Sequence, residues 1–333
     1  MEYPKFKVSV SCMTYNQSKY ITDAMNGFTM QQTSFPFVCT IVDDASTDGE
    51  QEVIRKYVEE NFDFSEGSVA YQKETDYAHI TYAQHKTNKN CYFAVLYLKE
   101  NHYSKRKDKR PYLKEWRDGV EYMALCEGDD YWIAADKLQK QVSFLDQNAE
   151  YSMCFHKAKV LVESSAYSYD EIHVFDCLEE REYFGKEFVK KWMIPTASML
   201  YRQNIVAPED SRFYVGDVKL SIQCASEGRV YCFADEMSVY RRTAQCATID
   251  NRNVNLFKLF NQELAYIEHF PIFRKEFENR LIMRIGLLFY SPNILNVLKQ
   301  ISINHTLSPF FFKALFRAFP KRIALTLRKI FNK

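Results

Sequence analysis

The sequence predicts an α/β fold, in which helices flank a mainly parallel central sheet and a helical extension follows at the carboxyl end. Residues 7–13 and 37–42 have the apolar pattern of buried strands, and each is followed by a segment with apolar residues at helical spacing. Parallel strands joined through helices form right-handed crossovers, and such sheets bind ligands beyond the carboxyl ends of their strands. We therefore expect the functional site at that edge of the sheet.

The first two predicted strands both end in polar turns that can begin a helix. KVSVSCM alternates apolar and small polar residues, and in the TYNQS segment after it Asn16 or Ser18 can cap the first helix. FVCTIV is the second strand. It ends in DDASTDGE, where Ser46 or Asp48 can cap the second helix.

A third apolar strand, EYMALC, ends in the acidic turn EGDDYW. Residues 137–145 then have helical spacing, and residues 152–162 return to strand-like alternation. The segment before the third strand, residues 78–118, is longer and less regular than an ordinary connection, which is typical of a functional lid or a solvated loop. Three polar strand ends at one edge of the sheet predict a site there.

Composition limits the class of protein. The 333 residues are 47% hydrophobic and 16% aromatic, which favours a large folded domain over a disordered chain. We find no signal-type segment and no apolar run of the roughly 18 residues that a membrane-spanning helix needs. The expected location is therefore cytoplasmic, peripheral on the inner face of the cell membrane. Nine cysteines without a C-x-x-C pair are expected to be reduced core residues.

The basic tail, residues 306–333, carries seven basic side chains and no acidic one, interleaved with bulky apolar residues. This composition predicts a helix in the membrane interface, with its cations toward an anionic membrane surface. The alternative is a basic amphipathic helix packed on the rest of the protein, and Pro309 and Pro320 break any single long helix. Nucleic acid is not an expected partner, because the tail is short and has no recognised binding motif.

Two pairs of carboxylates follow neighbouring predicted strands: Asp43 with Asp44, and Asp129 with Asp130. Adjacent carboxylates repel each other, so a cation or solvent must compensate them. Mg²⁺ and Mn²⁺ prefer carboxylate oxygens and leave positions open for phosphate, and such an ion neutralises a departing pyrophosphate. The alternative is a pair of helix-capping aspartates in tight turns, which Gly128 also permits.

These motifs together resemble the family 2 glycosyltransferases of GT-A fold, of the bacterial polysaccharide type. The resemblance covers about residues 5–245, through VSVSCMTYNQ, CTIVDDASTDGE and EYMALCEGDDYW in that order. It implies a metal-dependent inverting enzyme that moves a sugar from a nucleotide diphosphate-sugar, with UDP-sugar favoured, to a hydroxyl of a polysaccharide or glycolipid. The acceptor is then a glycan or a polyprenyl-linked saccharide.

The resemblance also implies a division of the chain. The GT-A domain covers residues 1–250, with a nucleotide-sugar half up to about residue 132 and an acceptor half over about 133–250. Beyond the resemblance, the composition of residues 251–333 predicts a helical, basic amphipathic region.

Donor and metal roles follow from the same resemblance. The metal, Mn²⁺ or Mg²⁺, is held by Asp130 and Asp129, and Asp44 accepts a hydrogen bond from the base. Glu127 stands where the family often has aspartate, and we assign it no role. The residues implied to contact the nucleotide or donor are Thr14, Tyr15, Asn16, Asp43, Asp44 and Asp129.

The catalytic base implied by the resemblance is Asp217, which would take the proton of the attacking acceptor hydroxyl. From the residues alone, a helix N-cap or first-turn acid is the alternative. Thr196, Ser198 and Trp132 are implied on the acceptor side. Buried hydroxyls that satisfy backbone groups would explain the first two equally well.

The segment SVYRRTA matches a family stretch that often contains histidine, and this chain has Thr243 at that position. A metal or phosphate contact is therefore not expected from residue 243. Arg241 or Arg242 is left to approach the diphosphate.

Two other functions stay open at this point. An inactive relative would only bind a glycan or a partner enzyme, although the presence of Asp44, Asp129, Asp130 and Asp217 argues against it. A sugar nucleotidyltransferase also uses a parallel sheet and a carboxylate-held metal. It normally requires a glycine-rich phosphate loop near the first strand, and TYNQSKY has no glycine.

Overall fold

The computed structural model describes residues 4–164, 167–243, 256–288, 309–314 and 316–317. The strands are β1 Val8–Thr14, β2 Phe37–Asp43, β3 Tyr71–Glu74, β4 Ala78–Gln84, β5 Cys91–Leu98, β6 Tyr122–Leu125, β7 Tyr131–Trp132, β8 Tyr151–Val162, β9 Arg181–Tyr183, β10 Leu200–Arg202 and β11 Arg229–Arg242. The helices are α1 Ile21–Thr29, α2 Glu50–Asn61, α3 Arg110–Arg117, α4 Lys137–Gln147, α5 Tyr169–Ile172, α6 Gly185–Lys190, α7 Gly216–Glu227, α8 Leu256–His269 and α9 Arg274–Leu288, with 3-10 turns at Thr196–Ser198 and Pro271–Phe273.

All of the described strands belong to one sheet, in the order β3-β4-β5-β2-β1-β6-β10-β8-β11-β7, with β9 paired to β11. The four strands β5, β2, β1 and β6 are parallel to one another. Antiparallel strands continue the sheet on both sides, through β4 and through β10. The predicted α/β fold with a central sheet and flanking helices is confirmed.

The apolar residues of the central strands explain their position in the sheet. Every residue of β2 and β5 is buried, as are all but one in β1, which is typical of parallel strands covered on both faces. Helix α1 contributes Ile21, Met25 and Phe28 to the core, and α4 contributes Leu138 and Val142. The predicted helical spacing of both segments is therefore confirmed.

The interpretation of residues 78–118 as an irregular insertion is wrong. This segment contains β4, β5 and α3, and β5 is a central strand paired with β2 along its length. Its sequence, CYFAVLYL, is a continuous apolar run rather than an alternating one, because both faces of β5 are covered. The connections within it are a short turn at residues 85–90, between β4 and β5, and a loop at residues 99–109, between β5 and α3.

The chain divides into two compact units. The first contains residues 1–184, 193–206 and 227–245, and the second contains residues 185–192, 207–226 and 246–333. In the second unit, the fully buried Glu263 is paired with Arg280 at 2.8 Å and Arg284 at 3.3 Å.

The structure bears on three further predictions, which concern membrane-spanning helices, the cysteines and the basic tail. Among the described residues, no helix is both long enough and apolar enough to span a bilayer. Seven of the eight described cysteines are buried, none of the eight forms a disulfide, and Cys246 lies outside the described residues. The basic tail also lies outside them, apart from residues 309–314 and 316–317, which are helical.

Candidate functional site

The carboxyl ends of β1, β2 and β6 meet at one edge of the sheet. Thr14 and Asp43, the last residues of β1 and β2, are paired in register, and the Asp44 amide donates to the Thr14 carbonyl at 3.0 Å. The Gly128 amide donates to the Met13 carbonyl at 3.2 Å. The prediction that three polar strand ends lie together is therefore confirmed.

The acidic turn after β6 packs directly against the loop after β1. A β-carbon at Gly128 would lie 2.8 Å from Thr14 Cβ and would also clash with Thr14 Oγ1 and Gln17 Oε1. Real side chains do not tolerate such contacts without a backbone shift. Glycine at position 128 therefore allows the two loops to lie in contact.

Glu50, the first residue of α2, holds the loops after β1 and β2 together. Its carboxylate is fully buried and accepts hydrogen bonds from the Gln17 amide at 2.9 Å, the Ser46 hydroxyl at 2.8 Å and the Thr14 hydroxyl. Burial raises the pKa of Glu50. Glu50 is not among the residues predicted from sequence, because a glutamate directly after STDG at a helix start is also a common capping acid and carries no other signal.

Replacement of Glu50 by alanine should destabilise the protein by about 2–4 kcal/mol, because one buried and two partly buried donors lose their acceptor together. Urea denaturation measures this change in the free energy of unfolding. Glu52→Ala is the matched control, since Glu52 lies in the same first turn of α2 but is exposed, and it should cost at most about 1 kcal/mol. Equal losses in both variants would contradict the assignment of Glu50 as the anchor of these loops.

Asp43 and Asp44 have different environments. Asp43 is fully buried, and its Oδ1 accepts from the Ser46 amide at 3.2 Å and from Gln51 Nε2 at 2.5 Å. Burial raises the pKa of Asp43. Asp44 contacts the loop after β5: Oδ1 accepts from the His102 amide at 2.8 Å, and Oδ2 accepts from the Tyr103 amide at 3.0 Å.

A salt bridge completes the contacts of Asp44. Lys109 Nζ lies 2.7 Å from Asp44 Oδ2, and the carboxylate is 4% exposed. Both oxygens of Asp44 are therefore engaged with the 99–109 loop in this conformation. Because the carboxylate is also almost fully covered, a nucleotide base can reach Asp44 only if this loop moves.

Thr14, Tyr15 and Asn16 form the turn after β1. Thr14 is buried, whereas the Tyr15 side chain is 46% exposed. Asn16 has a positive φ of 55°, its amide donates to Ser46 Oγ at 2.9 Å, and its Oδ1 accepts from the Thr47 amide at 2.8 Å. Thr14 and Asn16 therefore shape the turn, and the ring of Tyr15 is the group in it that can stack on a ligand.

The two aspartates of the acidic turn also differ. Asp130 is 1% exposed, and its Oδ1 accepts from the Arg241 amide at 2.8 Å, which fastens the turn to β11. Asp129 is partly exposed, and burial raises the pKa of its carboxyl group. Of the two, Asp129 has the side chain that a ligand can reach.

Arg241 and Arg242 are 4% and 1% exposed. Arg241 donates to the Asp129 carbonyl at 2.8 Å and to Asp23 Oδ2 at 2.7 Å, and Arg242 Nη2 donates to the Glu171 carbonyl at 3.1 Å. A phosphate contact by either guanidinium group would require these contacts to break. Arg241 instead holds the backbone of the acidic turn.

The donor set of the acidic turn fits a divalent cation of the kind predicted. Among the described residues, no group of three or more His, Cys, Asp or Glu side chains could hold a metal ion. Mg²⁺ and Mn²⁺ need only one or two protein carboxylates when substrate phosphates and water supply the other ligands. The partly exposed carboxylate of Asp129 suits such a site. The buried Asp130 would support the site by fastening the acidic turn to β11.

The residues expected on the acceptor side are mostly inaccessible. Ser198 is fully buried and donates its hydroxyl to the Pro195 carbonyl at 2.6 Å, as the alternative of a buried hydroxyl on a backbone group describes. Trp132 is 1% exposed, and its indole nitrogen donates to the Ala197 carbonyl at 2.8 Å. Thr196 is 6% exposed. Ser198 and Trp132 therefore do not line an open acceptor surface, because core packing encloses both side chains.

Asp217 lies in the second unit, in the first turn of α7. Its side chain is partly exposed, and Oδ1 accepts a hydrogen bond from the Val218 amide at 2.7 Å. This position agrees with the first-turn acid that the sequence offered as an alternative. A first-turn carboxylate can also act as a base, so its catalytic role stays a prediction.

Comparison with known sequences finds mycobacterial relatives of uncharacterized function. The proteins Rv1520 of Mycobacterium tuberculosis and Mb1547 of Mycobacterium bovis are each 30% identical to this chain over 239 residues, which is 71% of this chain. The match spans 59% of the length of each relative. No family model matches the chain.

Comparison with solved structures finds S. aureus TarS. The structure of its residues 1–349 in complex with UDP-GlcNAc has a TM-score of 0.53 and 16% sequence identity, and covers 93% of this chain and 80% of that one. The complex of the same protein with UDP has a TM-score of 0.52 and 16% identity, covering 96% and 82%. At this level of identity the likeness shows the fold, which is that of GT-A glycosyltransferase structures.

Proposed function

We propose that this protein is a metal-dependent, inverting glycosyltransferase that transfers a sugar from a nucleotide diphosphate-sugar to a hydroxyl of a polysaccharide or glycolipid acceptor. The observation that carries the proposal is the edge of the sheet where the TYN turn, the Asp43–Asp44 pair and the acidic turn meet. Nucleotide-sugar chemistry needs such a combination of a base-binding turn and cation-binding carboxylates.

The comparisons support this proposal at the level of fold. S. aureus TarS has been solved with UDP-GlcNAc and with UDP, and its fold matches over most of this chain. We infer from the resemblance and from this likeness that a UDP-sugar is the favoured donor.

Individual residues have assigned roles in this proposal. Tyr15 packs on the nucleotide, and the Glu50 network keeps the TYN turn in place beneath it. Asp129 holds Mn²⁺ or Mg²⁺, which when bound neutralises the charge of the departing nucleoside diphosphate. Asp217 removes the proton of the acceptor hydroxyl as the oxygen attacks the anomeric carbon. One such attack inverts the configuration and needs no covalent intermediate.

The basic tail is the membrane anchor in this proposal. Polyprenyl-linked acceptors lie in membranes, and seven cations without an anion would attract an anionic surface. The enzyme would then work as a peripheral protein on the inner face of the cell membrane.

The test is a panel of UDP-, GDP- and TDP-sugars with purified full-length protein, with donor hydrolysis followed by mass spectrometry. Isothermal titration with UDP, with and without Mn²⁺, is measured beside it. We expect hydrolysis of at least one donor and tighter UDP binding with Mn²⁺. Metal-dependent UDP binding without any turnover would favour the inactive relative, and the absence of both would refute the proposal.

A further inference from the structure

Lys137, the first residue of α4, is a buried lysine in the first unit. It is 0% exposed, and its Nζ donates to Gln141 Oε1 at 2.8 Å and lies 4.1 Å from the centroid of the Trp132 ring. Among the described residues, no carboxylate forms a salt bridge with it. A lone buried ammonium is unusual, because lysine is almost never fully buried unless it is paired.

The titratable groups around Lys137 do not supply a negative charge at neutral pH. Burial raises the pKa of the Cys154 thiol to about 12 and that of the Cys126 thiol well above its usual value. Burial also lowers the pKa of His156, which is therefore neutral. Burial lowers the pKa of Lys137 itself to about 7, which shows that burying its charge is unfavourable. An apolar side chain at this position would therefore cost less free energy of folding than the lysine does. Core stability alone does not explain this lysine.

Lys137 fixes the orientation of the Gln141 side chain. In its protonated form Lys137 can only donate, so the Gln141 amide then turns Oε1 toward it and Nε2 away from it. Nε2 then donates to the Ser198 carbonyl at 2.9 Å and lies 3.4 Å from the Cys154 carbonyl. The lysine thereby sets the donor that holds the 3-10 turn at residues 196–198.

A second connection reaches the same turn through Trp132. The ammonium lies against the ring of Trp132, whose indole nitrogen donates to the Ala197 carbonyl at 2.8 Å. Trp132 belongs to β7 and lies two residues after Asp130. The Lys137 ammonium therefore stands between two donors that bind adjacent carbonyls, those of Ala197 and Ser198.

We propose that Lys137 is a positioning residue that couples the acidic turn at Asp129–Asp130 to the 196–198 turn through Trp132 and Gln141. This inference rests on the proposed function, which assigns the acidic turn to the donor and the metal, and on the resemblance, which implies Thr196 of the 196–198 turn on the acceptor side. Lys137 itself touches no substrate. It affects the rate by keeping the two turns in a fixed position relative to each other.

The first measurement is amide hydrogen exchange, which does not depend on activity. In Lys137→Met the amides of Ser198 and Met199, which donate within the 3-10 turn, should exchange about tenfold faster or more, while β1 and β2 stay protected. Lys140→Met is the matched control. Lys140 lies on the same helix, and its Nζ is 5.2 Å from the centroid of the Phe233 ring. It is partly exposed and pairs with Asp235, so its replacement should leave exchange in the 196–198 turn unchanged.

The second measurement separates turnover from binding. A displacement of about 1 Å can cost about 100-fold in rate, so Lys137→Met should lower kcat for hydrolysis of the donor used by the wild type at least about tenfold. Its Kd for UDP with Mn²⁺ should stay within about threefold of the wild type, because the loops after β1 and β2 have their own anchor in Glu50. A loss of packing alone would raise exchange throughout the core and leave kcat below the melting temperature unchanged.

Two further variants decide the question if Lys137→Met does not fold. Trp132→Phe keeps an aromatic ring for the ammonium and removes the donor to Ala197, and Gln141→Leu removes the donor to Ser198. Each should raise exchange in the 196–199 segment. Unchanged exchange there in every variant that folds, or equal behaviour of Lys137→Met and Lys140→Met, would overturn the inference. A wild type without turnover on any nucleotide sugar would instead refute the proposed function, and the exchange results would still decide the coupling.

Discussion

Asp217→Asn should lower the rate of sugar transfer by about 100- to 10,000-fold, the range that a general base contributes. Its affinity for UDP with Mn²⁺ should stay close to that of the wild type, because a base acts on the chemical step and not on the ground-state complex. Single-turnover kinetics with the donor identified in the panel measures the first effect, and isothermal titration measures the second.

A control on the same helix makes this prediction specific. Glu227, the last residue of α7, is exposed, and Glu227→Gln should leave both the rate and the affinity unchanged. If Asp217→Asn loses UDP affinity to the same extent as it loses rate, Asp217 serves donor binding and the base has to be sought elsewhere. If the variant keeps its full rate, Asp217 is a first-turn acid of α7 without a catalytic role.

Asp129→Asn should abolish the Mn²⁺ dependence of UDP binding. A carboxylate that holds a phosphate-bridging ion is worth several kcal/mol, so the affinity for UDP in the presence of Mn²⁺ should fall by about 100-fold. The affinity without metal should not change. Because Asp129 is partly exposed and Asp130 is fastened to the Arg241 amide, the Asp129 variant should also unfold at the same urea concentration as the wild type.

Two comparisons sharpen the assignment. Asp136→Asn removes an exposed carboxylate seven residues along the chain that makes no side-chain capping bond, and it should behave as the wild type. Asp130→Ala should weaken metal-dependent binding and also lower stability, since it leaves the buried Arg241 amide without its acceptor. An unaltered Mn²⁺ effect in Asp129→Asn would remove Asp129 from the metal site.

The sequence predicted the elements whose pattern is local. Apolar periodicity and polar caps predicted strands β1, β2, β6 and β8 and helices α1, α2 and α4, and the ends of β1, β2 and β6 meet as expected. Strand β5 was missed because a continuous apolar run does not distinguish a strand from a buried helix, and the polar residues around it suggested a loop.

The side chains that organise the site could not be predicted in the same way. Glu50 is buried between two loops, and its partners in them, Gln17 and Ser46, lie 29 residues apart in the sequence. No pattern near Glu50 predicts these contacts. Lys137 and Gln141 did leave a signal. They lie four residues apart and share a face with Leu138 and Val142, so a polar pair interrupts an apolar stripe. The contacts made by that pair depend on strand order and required the fold.

The contacts between Asp44 and the 99–109 loop have a kinetic consequence. The carboxylate already accepts from two backbone amides and the Lys109 ammonium, so a nucleotide that uses Asp44 has to wait until the loop releases it. Association would then be a two-step process, and the observed rate constant would rise with nucleotide concentration only to a plateau set by the rate of loop release. Shortening Lys109 to alanine would raise that plateau, and stopped-flow fluorescence would record it.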